Sequence, residues 1–123
     1  MGKVATFEEI IAWQKARVFN KHLYLKTNAE KFKKDVDLVR QIRRASVSIS
    51  SNIAEGFERH TDKEFIQYLH FAKASAGEVR SQLYLAIDLE YISQDIFDNL
   101  YNEIMEISRL ISGFIKYLQN KIR

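Results

Sequence analysis

Apolar residues along this chain recur at alternating steps of four and three. One seam reads Leu38, Ile42, Ala45, Ile49, Asn52, Gly56; the next reads Phe65, Leu69, Ala72, Ala76, Val79, Leu83, Ala86. A third runs Ile96, Leu100, Ile104, Ile107, Ile111, Phe114, Leu118, and a shorter, less regular one links Phe7, Ile10, Trp13, Ala16, Leu23 and Tyr24. That spacing marks one face of an α-helix held over several turns. Helix-start signals sit ahead of the seams. Thr6-Phe7-Glu8-Glu9 and Thr61-Asp62-Lys63-Glu64 read as capping boxes, Ser93 as an N-cap, and Asp35 or Asp37 as the start of the second helix. The pattern predicts helices near 6–26, 36–58, 62–90 and 94–120.

One stretch, Ser46-Val47-Ser48-Ile49-Ser50, alternates like a strand. The beat is short, the helical seam runs through it, and a lone strand would have nothing to pair with. It is read as helix. Proline is absent and glycine occurs only at 2, 56, 77 and 113, so tight turns are few. Isolated helices are marginal in water and must bury their stripes against one another. Short connections make neighbours antiparallel. The expected fold is all-α, an antiparallel up-down four-helix bundle forming a single domain over 1–123.

With 123 residues the chain can bury a real core without staples, and having no cysteine it has neither disulfides nor a thiol nucleophile. No apolar run is long enough to span a bilayer and the first residues do not read as a signal peptide, so the expected location is the cytoplasm, with no membrane partner. Charge is uneven. Residues 1–44 carry eleven Lys and Arg against five Asp and Glu, a net of +6, whereas residues 45–123 carry eight against eleven, a net of −3. The basic part is densest from Lys26 to Arg44, which suggests a polyanionic partner.

Small residues at 45, 46, 48, 50, 51 and 54, and again at 72 and 74–77, predict a tight crossing of the second and third helices. Gly77, in mid-helix, suggests close backbone contact there, and Gly56 suits a helix C-terminus. No serine has a histidine at nucleophile spacing, and His22, His60 and His70 form no ligand pair, so neither catalytic residues nor metal or other cofactor are expected. Asn52 falls on a core seam, with Glu55 one turn on, and Glu78 shares a line with Phe71 and Leu85. Asn52, Glu55 and Glu78 are read as a buried polar network, with Arg43 and Arg44 as its cations, in preference to a dicarboxylate metal site.

The run from Gln41 to Arg59, Gln-Ile-Arg-Arg-Ala-x-x-Ser-Ile-x-Ser-Asn-Ile-Ala-Glu-Gly-x-x-Arg, with Ser75 and Glu78 later and Trp13, Gln14 and Ala16 earlier, resembles the 23S rRNA-intervening-sequence proteins. That four-helix bundle family includes an accessory protein of diversity-generating retroelements. Ser50 and Lys33 stand where the family usually has proline. The resemblance implies a bacterial protein with no established enzymatic activity and a tendency to form homopentamers. For the retroelement branch it also implies binding to nucleic acid and to a reverse transcriptase.

The leading expectation is therefore a non-catalytic, homo-oligomeric module, with a pentamer favoured, that contacts RNA or DNA phosphates through Lys33, Lys34, Arg40, Arg43 and Arg44. The competing one is a protein-interaction scaffold with no nucleic-acid role. It would dock a partner through a second apolar line on the fourth helix: Phe97, Tyr101, Leu110, Ile115, Tyr117 and Ile122.

Overall fold

The computed structural model describes residues 4–122. Met1–Lys3 and Arg123, at the ends of the expected domain, lie outside the described residues. Four helices follow one another: α1 (Ile11–Thr27), α2 (Val36–Phe57), α3 (Asp62–Asp88) and α4 (Gln94–Ile122). Single 3-10 turns, Phe7–Glu9 and Phe32–Lys34, precede α1 and α2. Short links reverse the chain between α2 and α3 and between α3 and α4, and the helices close into an antiparallel bundle. Ser46 to Phe57 is helical throughout.

Local chemistry sets the helix starts. Asp35 accepts the Leu38 N–H at 3.1 Å, Thr61 that of Glu64 at 3.1 Å, and Ser93 that of Ile96 at 3.2 Å. Each satisfies an N–H that the first turn leaves without a partner. The first helix starts later than its capping signal suggests. The Glu9 carboxylate takes the Thr6 N–H at 3.0 Å, but this closes the 3-10 turn, and Ile10 is extended before α1 begins. Phe7 packs edge-on to Trp13 at 5.1 Å, which folds that turn back onto α1.

The predicted seams form the core. Leu23, Ile42, Ile49, Leu69, Leu83 and Ile111 of those seams are fully buried, joined by Phe19 and Ile53, which the seams did not include, and by Phe32 from the turn before α2. The serine-rich face of α2 ties helices together on both flanks. Ser46 donates to Asn20 Oδ1 of α1 at 2.5 Å, and Asn20 donates to Ser50 at 3.1 Å. On the other flank Ser75 of α3 donates to Ser48 at 3.0 Å.

Two expectations change. The glycine crowded by the α2–α3 contact is buried, helical Gly56, whereas Gly77 faces open space, although Ser48 and Ser75 of the small-residue zone do meet. On α4, Phe97 and Ile115 are buried, and Tyr101, Leu110 and Tyr117 pack against the core, so the second apolar line serves this chain's own interior. Ile122 alone of that line is exposed. Exposed apolar side chains instead mark α1 (Ile11, Val18, Leu25) and α3 (Phe71, Tyr84, Leu85).

Candidate nucleic-acid interface

The last carbonyls of any helix lack intrahelical donors. At the end of α1, Asn28 N–H bonds the Leu25 carbonyl and Ala29 N–H the Lys26 carbonyl. The Tyr24 carbonyl is met by side chains: the Thr27 hydroxyl at 3.2 Å and Arg43 Nη2 at 3.3 Å. Arg43 Nε also donates to Thr27 Oγ1 at 2.9 Å, and its guanidinium carbon lies 4.3 Å from the centre of the Tyr24 ring. Thr27 itself is fully buried. Thus α2 sends a cation into the negative end of the α1 dipole. These partners are all neutral, so the fold orients this arginine without cancelling its charge.

Around this anchor the start of α2 and the turn before it add further cations. Lys33, Arg40 and Arg44 join Arg43, Tyr24 and Val36 in lining an open depression of about 420 Å³. No carboxylate lines it. Asp35, nearby in sequence, is occupied in capping α2 and in accepting the Tyr91 hydroxyl at 2.8 Å. That hydrogen bond, then burial, holds the Tyr91 phenol above its usual range. Lys33 meets Glu30 at 3.1 Å, but both ends are exposed and water screens such a pair.

Four of the five predicted contacts, Lys33, Arg40, Arg43 and Arg44, are therefore brought together, while Lys34 is exposed outside the lining. Sequence reasoning missed Tyr24 and Thr27. Tyr24 reads as part of the first seam, yet it is 41% exposed. A threonine in the last turn of a helix was the available signal for the anchor.

The predicted polar network is differently composed. Asn52 donates to the Ser48 carbonyl at 2.8 Å and to the Ser48 hydroxyl at 2.9 Å, extending the Ser48–Ser75 tie. Glu55 and Glu78 are exposed, and the ion pairs among the described residues include neither. Glu78 accepts from Gln82 at 3.2 Å. Its apolar neighbours Phe71 and Leu85, which suggested a buried line, are themselves exposed, so the carboxylate stays in water and needs no cation. Arg43 turns to α1 instead.

Other polar groups are tied locally. His22 meets the Glu103 carboxylate at 2.9 Å between α1 and α4. Arg59, bonded to the Tyr68 hydroxyl, is held above its ordinary range by that contact first, and by Glu64 and Glu55 after it. Among the described residues no group of three or more His, Asp or Glu is placed to hold a metal ion. No helix among the described residues is long and apolar enough to cross a membrane.

Fold and site together define an antiparallel helical bundle with a carboxylate-free cationic depression where α1 ends and α2 begins. The chain belongs to the 23S rRNA-intervening sequence protein family, whose model matches residues 8–113. It is similar to a solved protein of unknown function from the S23 ribosomal protein family of Bacteroides thetaiotaomicron. The TM-score is 0.79 at 28% identity, over 86% of this chain and 99% of that one. No curated protein matches the chain.

Proposed function

We propose that the protein is a non-catalytic, homo-oligomeric cytoplasmic module that binds RNA or DNA through its phosphates. The observation that carries this reading is the convergence of Lys33, Arg40, Arg43 and Arg44 on one depression without a carboxylate. Phosphate neutralisation releases counterions, so affinity falls linearly with salt on logarithmic axes. Retention on heparin and binding of labelled RNA test it. With these four cations on phosphates, log affinity is expected to fall with log salt at a slope of about −3 to −4 per protomer. Absence of retention at low salt overturns the reading. The serines support a structural role: the side chains bonded to Ser46, Ser48 and Ser50 are Asn20, Asn52 and Ser75, none of them a base.

Assembly is proposed through the outer face of α2 and α3. Val47, Phe71 and Leu85 are exposed there, with Arg44, Glu55 and Glu78 exposed on the same two helices. Apolar side chains together with both charge signs suit contact between copies, a pentamer being the favoured size. In a retroelement setting, a reverse transcriptase would be the protein partner.

The scaffold reading has its own support, moved to another helix. Ile11, Val18 and Leu25, spaced by seven on α1, are each more than half exposed. A nucleic-acid-free protein that captures a helical partner through this line would favour it.

A further inference from the structure

Charge alone does not describe the depression. Its lining holds the Arg43 guanidinium over the Tyr24 ring, 4.3 Å from its centre, with an exposed aliphatic edge at Val36. Two hydrogen bonds, to Thr27 Oγ1 and to the Tyr24 carbonyl, hold the guanidinium in place before any ligand arrives. A preorganised surface loses little entropy on binding. Arg40 and Arg44 are exposed arms beside it.

A duplex hides the faces of its bases and can offer this surface only phosphates. An unpaired nucleotide offers a phosphate and an open base, and proteins hold such bases by stacking them on aromatic rings or guanidinium planes. The volume, about 420 Å³, falls in the range of small-ligand sites. Resting on the nucleic-acid reading above, we propose that the depression is a subsite for one unpaired nucleotide. The base stacks on the Tyr24–Arg43 pair, and the flanking phosphates are held by Lys33, Arg40 and Arg44. The protein then discriminates unpaired from paired strands at this point.

Fluorescence anisotropy with a short labelled single strand, and with the blunt duplex made from it, tests this on the full chain. Tyr24→Leu is expected to weaken single-strand binding about tenfold while leaving the duplex within about twofold. Tyr24→Phe, which keeps the ring, restores the wild-type value. Arg43→Lys keeps the charge but not the plane and reproduces the selective loss, with melting curves confirming that each variant is folded. If Tyr24→Leu weakens both forms equally, or neither, the subsite is wrong while the cationic surface stands. If the wild-type protein binds neither form at low salt, the nucleic-acid reading itself falls and the subsite with it.

Discussion

A Cβ added at Gly56 would lie 2.6 Å from the Cβ of Tyr68 and 2.9 Å from the Phe65 ring. The Tyr68 atom is next to its backbone and cannot swing away. Overpacking of this kind costs about 1–3 kcal/mol, so Gly56→Ala is expected to lower the denaturation midpoint despite alanine's better helix propensity. Gly77 meets nothing within 4 Å, and there Gly77→Ala should raise stability by about 0.5–1 kcal/mol in the same titration. Opposite signs at two helical glycines are the check. Their places along the helices suggested the reverse, because crowding depends on the presence of a facing helix.

Tyr91 gives a pH test at the same scale. Its hydroxyl donates to Asp35, and its folded pKa lies above the ordinary value of 10.0. A raised folded pKa means that the stabilisation is fully present below the unfolded pKa and disappears as pH rises through the folded one. Tyr91→Phe should therefore melt below the wild type at neutral pH, and the gap should close above a pH of about 10.

At the scale of elements, the join between α1 and α2 is where stability and the proposed function meet. Thr27→Val keeps the shape but removes the hydroxyl that fixes Arg43 Nε, at 2.9 Å. The expected loss is about 1 kcal/mol in thermal melts, since the partly exposed guanidinium can turn to water. The formal charge is unchanged, so the salt slope should stay while single-strand affinity falls. The caps of α2, α3 and α4 were legible in the sequence because a cap depends on residues within one turn. The start of α1 was not. A capping box at Thr6 serves equally for a 3-10 turn, and the edge-on contact between Phe7 and Trp13 and the bond from Gln14 to the Glu8 carbonyl accompany the later start.

Taken whole, the molecule is electrically lopsided. Helix α1 holds Lys15, Arg17, Lys21 and Lys26 with no Asp or Glu, and Arg40, Arg43 and Arg44 lie in the first half of α2. Helix α4 carries Asp95, Asp98, Glu103 and Glu106 in its first half, two of which meet α1 through Lys15 and His22, and Arg109, Lys116 and Lys121 in its second. A surface divided in this way steers a polyanion to one side. The assembly proposed above uses the outer face of α2 and α3, where Arg44 of the depression is also exposed. Leu85→Glu is expected to reduce the mass measured by light scattering to that of one chain, with little change in melting temperature, since Leu85 is exposed in the protomer. An unchanged assembly would place the contact elsewhere.

What the sequence determined by itself was the set of helices, their buried seams and the basic stretch from Lys26 to Arg44. Each follows from periodicity, caps or composition, which are local quantities. The tertiary structure decided which glycine is crowded, that the second apolar line of α4 turns inward, and that Arg43 belongs to the end of α1 and not to Glu55 or Glu78. Those outcomes depend on which faces meet across the bundle. Helical spacing puts a residue on a face of its own helix but is silent on what stands opposite.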